Sequence, residues 1–96
     1  MRIAELLQSK RDEILEVARR HGARNVRVFG SIARDEEAPD SDIDLLVEFE
    51  ANRDLFDHVA LIHDLETLLD RKVDVVTEDS LHWYIRDRVL SEAVKL

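Results

Sequence analysis

The chain has 96 residues, of which 45% are hydrophobic, and we expect a single domain over residues 1–96 with one modest core. Acidic residues outnumber basic ones by 22 to 14, and the formal net charge of −8 disfavours general binding to nucleic acid. The sequence has no cysteine, which excludes disulfides and thiolate zinc sites.

The first third of the chain predicts a helix, a strand and a turn. Apolar residues recur at helical spacing and predict one helix over residues 3–20. β-branched and aromatic residues predict a short strand over residues 26–29, which Gly30 ends. Residues 31–34 are then expected to form one helical turn.

The remainder predicts two further strands and two helices. Period-two alternation indicates a strand over Ile43–Phe49, and an apolar run indicates another over Val73–Val76. Helices are predicted over residues 54–69, with Asp54 as the N-cap, and over residues 81–93. The order α-β-(turn)-β-α-β-α predicts an α/β (α+β) fold, a small mixed sheet with helices packed on it.

Gly30-Ser31 lies at the predicted corner between a strand and a helical turn. Glycine lets the backbone approach a ligand closely, and the free N–H groups that begin a helical turn suit a phosphate. The Ser31 hydroxyl and the Arg34 guanidinium could bind the same anion. Taken alone, a glycine-serine pair more often forms an ordinary tight turn with a serine cap.

Asp42 and Asp44 are spaced two apart at the start of a strand, so both carboxylates project from one face. Two close carboxylates repel each other when ionised, and Mg²⁺ relieves this repulsion. An exposed strand end explains the pair equally well. Ser41 could be a turn residue or could orient its neighbours by hydrogen bonding, and its neighbours favour the second interpretation.

Asp74 interrupts the apolar run of the last predicted strand. An aspartate there has poor β-propensity and is costly to desolvate unless it is paired or bound to a metal. If its strand neighbours that of Asp42 and Asp44, Asp74 could bind a metal and accept a proton from an attacking group.

These motifs together resemble the nucleotidyltransferases of the DNA polymerase β superfamily, and most closely the minimal nucleotidyltransferases. The pattern comprises G-S-x-A-R at residues 30–34, S-D-x-D-L-L-V at 41–47 and V-D-V-V at Val73–Val76. The resemblance also includes L-F-D at 55–57 and R-V-L-S-E-A-V at 88–94. It therefore covers almost the whole chain and implies the nucleotidyltransferase fold.

The resemblance, with the residue chemistry, predicts a site for a nucleotide and a metal. The predicted nucleotide-binding residues are Gly30, Ser31, Arg34 and Ser41. The predicted catalytic and metal-binding residues are Asp42, Asp44 and Asp74. ATP is the expected donor, and two Mg²⁺ ions are the expected cofactor.

Many minimal nucleotidyltransferases are antitoxins that are paired with a HEPN-domain ribonuclease toxin. The resemblance therefore implies a HEPN toxin partner and transfer of AMP from ATP to one of its tyrosines. Two alternatives stay open at this stage. One is an antitoxin that neutralises its toxin by binding alone, and the other is an enzyme that modifies a small hydroxylated molecule.

Association with another chain is expected because so short a chain buries a limited fraction of its surface. The partner could be a second copy or a different protein. Trp83 and Tyr84 are predicted to anchor the last helix to the core or to such a partner. The sequence shows neither an apolar leader core nor a membrane-length apolar run, so we expect a cytoplasmic protein without membrane contact.

Overall fold

The computed structural model of the chain describes residues 2–96, which form helices around one sheet. The helices are α1 Ile3–Ser9, α2 Arg11–Arg20, α3 Leu55–Leu69 and α4 Trp83–Glu92, with a 3₁₀ turn over Glu78–Ser80. The strands are β1 Ala23–Phe29, β2 Ile43–Phe49, β3 Val73–Val76 and β4 Val94–Lys95. Within residues 2–96, no helix is both long and apolar enough to cross a membrane.

The strands form one sheet in the order β3-β2-β1-β4. β2 and β3 are parallel, whereas β1 is antiparallel to both β2 and β4. The predicted mixed sheet is therefore confirmed. α3 connects the two parallel strands, as a parallel pair requires a long crossover.

The core lies on one face of the sheet, between the strands and α1, α2 and α3. On β2, the alternating residues Ile43, Leu45 and Val47 are almost completely buried, as period two predicts. Leu61, Leu65 and Leu69 supply the matching stripe of α3 at helical spacing. This packing fixes which face of β2 turns away from the core.

The single helix predicted over residues 3–20 is wrong, because the chain breaks at Lys10. Lys10 has φ −108° and ψ 15°, and α1 and α2 lie on either side of it. The Ser9 hydroxyl donates to the carbonyl oxygen of Leu6 at 2.9 Å, a local bond that competes with the helical ladder. Residues 8–13 are all polar, so no core contact holds a continuous helix there.

α3 begins where the sequence predicts, through a reciprocal cap. The Asp54 carboxylate accepts from the N–H groups of Phe56 and Asp57, at 3.0 and 3.3 Å. Asp57 in turn accepts from the Asp54 N–H at 3.1 Å, which holds the pKa of the Asp57 carboxyl below its ordinary value. Such a capping box satisfies two helical donors at once.

β4 was not predicted, because two residues carry no periodic signal. Val94 and Lys95 pair with Val28 and Arg27 of β1, and the N–H of Leu96 donates to Val26 at 3.0 Å. This pairing fixes the backbone directly after α4, so the end of that helix lies beside the end of β1.

Candidate active site

The polar face of the sheet brings two of the predicted acids together. Asp44 and Asp74 are the second residues of β2 and β3, and the parallel register places them directly opposite each other. The neighbours of Asp44 in sequence, Ile43 and Leu45, are buried in the core. Because side chains alternate along a strand, the carboxylate of Asp44 points away from that core.

Gly30 ends β1 beside Asp44, since Phe29 pairs with Asp44 across the sheet. Gly30 has φ +77°, a conformation that side chains rarely adopt. A Cβ atom at this position would collide with the Asp44 carboxylate. Glycine is therefore required both by the backbone conformation and by the close approach of the acid.

After Gly30 the chain makes the predicted turn, over residues 30–35. The Arg34 N–H donates to the Gly30 carbonyl at 3.1 Å, and the Glu36 N–H donates to the Ser31 carbonyl at 2.8 Å. The first of these bonds has the spacing of an α-helix, but the turn does not continue into one. Ser31 is half-buried in this turn.

The Gly30 N–H and the Arg34 guanidinium converge on one carboxylate, that of Glu92 at the end of α4. The Gly30 N–H donates to Glu92 Oε1 at 3.2 Å. Nη1 of Arg34 lies 3.1 Å from Oε1 and 3.2 Å from Oε2 of Glu92, and its Nε lies 3.1 Å from Glu36. Two groups of the corner that the sequence predicts as an anion site thus contact a carboxylate of the chain itself.

The electrostatics of the site centre on Asp44. Burial raises the pKa of the Asp44 carboxyl above its ordinary value, and the charges of Asp74 and then Asp42 raise it further. The charge of Arg34 lowers the pKa of Asp44, and the charge of Glu92 raises it by a smaller amount. Asp44 thus lies in a region where negative charge is unfavourable and a cation would be favourable.

Asp42 and Ser41 lie in the loop that precedes β2. Asp42 is exposed, just before the strand begins at Ile43. The Ser41 hydroxyl accepts a hydrogen bond from the Ala38 N–H at 2.8 Å, so it shapes the acidic loop. A direct role for Ser41 in binding a nucleotide stays a prediction.

The donor chemistry fits Mg²⁺, which prefers carboxylate oxygens together with phosphate and water. Within the described part of the chain, however, no three histidine or acidic side chains are gathered closely enough to hold a metal. The paired acids Asp44 and Asp74, with Asp42 two residues earlier, supply the ligand types, and their mutual repulsion opposes a tighter cluster. The expected Mg²⁺ site is therefore supported by the type of ligand available and by the strand register that places Asp44 opposite Asp74.

Sequence reasoning missed Glu92. One signal could have indicated it: an acid in the last turn of the predicted helix is unfavourable beside the negative end of the helix dipole. Of the two contacts predicted for Trp83 and Tyr84, the one with the core is excluded, because these residues are 81% and 66% exposed. They do not anchor α4 to the core, which leaves a partner as the predicted contact.

The fold and this site define the class of protein as a nucleotidyltransferase. The sequence pattern of the family described as "Nucleotidyltransferase domain" matches residues 11–96. A solved structure of a minimal nucleotidyltransferase superposes with a TM-score of 0.86 at 49% identity, over 97% of this chain and 95% of that one. The chain belongs to this family, as a minimal nucleotidyltransferase of the DNA polymerase β superfamily.

Similar proteins include protein adenylyltransferases. A Methanocaldococcus jannaschii protein assigned to that class is 44% identical over 85% of this chain and 88% of its own length. "Protein adenylyltransferase MntA" of Thermococcus cleftensis is 40% identical over 96% of this chain and 90% of its own length. The fold also recurs in a complex of the Shewanella oneidensis tri-AMPylated HEPN toxin with its MNT antitoxin, at 22% identity and a TM-score of 0.68, covering 92% of this chain and 69% of that one.

Proposed function

We propose that the chain transfers AMP from ATP to a tyrosine hydroxyl of a HEPN-domain toxin, with Mg²⁺, and thereby acts as an antitoxin. The observation that carries the proposal is the placement of Gly30 directly beside the opposed pair Asp44 and Asp74. A phosphate-binding corner next to paired carboxylates suits transfer of a nucleotidyl group. The adenylyl group and the protein acceptor follow from the relatives named as protein adenylyltransferases.

In the proposed reaction, the tyrosine oxygen attacks the α-phosphorus of ATP. A new O–P bond forms, the bond between the α-phosphorus and its bridging oxygen breaks, and pyrophosphate leaves. The proton of the hydroxyl passes to a carboxylate, for which Asp74 is the candidate because it is exposed beside Asp44.

The triphosphate would be held by three groups on the turn after β1: the Gly30 N–H, the Ser31 hydroxyl and the Arg34 guanidinium. The carboxylates of Asp42, Asp44 and Asp74 would hold Mg²⁺. When bound, Mg²⁺ would neutralise charge on the phosphates. Because the proposed partner is a ribonuclease toxin, we expect the reaction to occur in the cytoplasm.

The test is a transfer assay with α-labelled ATP, Mg²⁺ and the purified product of an adjacent HEPN-type gene. We expect label to appear on the toxin and its ribonuclease activity to fall. The D42N/D44N double variant should transfer no label, whereas D12N, which changes an exposed acid on α2, should behave as the native chain. A folded native chain that binds ATP but leaves the toxin unlabelled would refute the proposal.

A second candidate is neutralisation by binding alone, which the exposed apolar residues favour. Large apolar side chains of α3 and α4 are more than half exposed and could contact a partner: Leu55, Phe56, Val59, Trp83 and Tyr84. If the D42N/D44N variant still protects cells fully from the toxin, binding explains neutralisation and transfer does not.

A further inference from the structure

Glu92 contacts two of the three groups that the proposed site offers to a phosphate, the Gly30 N–H and the Arg34 guanidinium. Its carboxylate accepts from the Gly30 N–H and from Arg34 Nη1, all between 3.1 and 3.2 Å. Its side chain is only 15% exposed, which is unusual for an acid. These three bonds satisfy a largely buried charge that would otherwise be unfavourable.

A carboxylate and a phosphate cannot both occupy this position. The Gly30 N–H has one hydrogen, which points to a single acceptor at good geometry. Like charges within a partly buried site repel, and Glu92 already adds to the unfavourable negative potential at Asp44. The Arg34 guanidinium is shared between Glu92 and Glu36, so its capacity for a further anion is also limited.

The backbone at Glu92 is fixed from both sides. The Ala93 N–H donates to Val89 at 2.9 Å, which closes α4, and Val94 pairs with Val28 of β1. Rotation of the Glu92 side chain about its own bonds is therefore enough to release Gly30 and Arg34. Such rotation needs no rearrangement of the fold and is fast.

We propose that Glu92 is an internal competitor for the triphosphate, a positioning residue that preorganises Gly30 and Arg34 and must release them when the nucleotide binds. The inference rests on the nucleotide site proposed above. The carboxylate holds the corner in the conformation that binds an anion, at the expense of affinity. Neutralising Glu92 should therefore strengthen nucleotide binding, the opposite of what removal of a ligand or of a metal-binding acid would do.

The chain offers a simple probe, because it has two glycines. ¹⁵N-glycine labelling gives one amide signal from Gly30 and one from Gly22, whose N–H donates to Arg19 at 3.0 Å, outside the site. In E92Q we expect the Gly30 signal to shift and the Gly22 signal to keep its position. An unchanged Gly22 signal also shows that the variant is folded. The matched control is D87N, which removes the same charge from an exposed position of α4.

The decisive measurement is a titration with α,β-methylene ATP and Mg²⁺, followed through the Gly30 signal. We expect half-saturation in E92Q at a concentration roughly threefold to tenfold lower than in the native chain, since charge-assisted bonds are replaced by weaker neutral ones. D87N should match the native chain. Equal or weaker binding by E92Q, or no response of Gly30 to the nucleotide in any of the three proteins, would overturn the inference.

The outcome separates this inference from the proposed transfer reaction. Tighter binding by E92Q together with no label transfer by the native chain would support the competitor and refute the transfer. Label transfer by the native chain with unchanged affinity in E92Q would refute the competitor and support the transfer.

Discussion

The two faces of the sheet differ in what they contribute. On the core face, Ile43, Leu45 and Val47 of β2 are between 0 and 1% exposed and pack beneath the helices. On the opposite face, the same strand presents the half-buried acids Asp44 and Glu48, with the buried Leu46 between them. One strand thus supports the fold with every second residue and contributes Asp44 to the candidate site from the opposite face.

This difference shows how a small domain can accommodate an unfavourable cluster of charge. Each fully buried aliphatic side chain contributes about 1.5–3 kcal/mol to folding, whereas opposed like charges on neighbouring strands cost roughly 0.2–1 kcal/mol. Burial of side chains on the core face therefore offsets the repulsion between charges on the other face, with little loss of folding free energy. Substitutions on the two faces should have separable effects, which the following predictions test.

The largest effect is expected from Asp44→Asn on transfer activity. The variant keeps the shape of the side chain but removes the charge that would bind the cation, so we expect a loss of at least about a thousandfold. The measurement is initial-rate transfer of labelled AMP to the toxin. Asp40→Asn, in the same acidic loop but outside the candidate site, is the control and should keep its rate. An Asp44→Asn variant with near-native rate would remove Asp44 from the catalytic groups.

The next largest effect is expected from Leu45→Ala on stability, one residue away from Asp44 and on the core face of β2. Leu45 is completely buried, so truncation leaves a cavity and should lower the free energy of unfolding by about 2–5 kcal/mol. Urea denaturation measures this change. The matched control is Leu55→Ala, at a position that is 73% exposed, for which we expect a change within about 0.5 kcal/mol. Similar losses at both positions would show that the core face is not the main source of stability.

Gly30→Ala and Gly22→Ala form a third pair, since both glycines have positive φ. Each substitution should cost about 1–2 kcal/mol of stability through backbone strain. A Cβ at Gly22 meets the flexible side chain of Arg53, whereas a Cβ at Gly30 meets the Asp44 carboxylate. We therefore expect nucleotide binding, measured by calorimetry, to be lost in Gly30→Ala and kept in Gly22→Ala. Equal binding in the two variants would contradict a role of Gly30 in the site.

The elements that bear the site follow from local patterns in the sequence. β2 and β3 have their predicted bounds because β-branched and aliphatic runs are bordered by polar residues on both sides. The opposition of Asp44 and Asp74 follows once α3 connects two parallel neighbours. The break at Lys10 was not predicted, because Leu7 and Ile14 on either side of it keep the same helical phase, although the residues between them are polar.

Glu92 could not be placed from the sequence, because its position depends on contacts that are distant along the chain. The pairing of β4 with β1 fixes the end of α4 beside Gly30. A two-residue strand has no periodicity from which to infer this pairing. The sequence shows an acid at a helix end, but not the N–H and guanidinium that it contacts.

The smallest effect is expected from Asp44→Asn on stability. It tests most directly the electrostatic difference between the two faces of the sheet. The pKa of Asp44 is raised above its ordinary value of 3.8 by burial, then by Asp74 and Asp42. Between that value and the higher pKa in the folded state, the folded chain binds more protons than the unfolded chain, so stability falls as pH rises through this window. At neutral pH the full cost of the ionised carboxylate is present.

Asp44→Asn should therefore be more stable than the native chain at pH 7, by roughly 0.5–1 kcal/mol, which corresponds to about 2–8 °C in Tm for a domain of this size. The gain should shrink as the pH is lowered toward 3.8, because the native carboxyl then becomes neutral as well. Added Mg²⁺ should narrow the difference at pH 7 by stabilising the native chain. Thermal unfolding over a pH series measures all three effects, and a gain that does not change with pH would mean that packing, and not charge, distinguishes the variant.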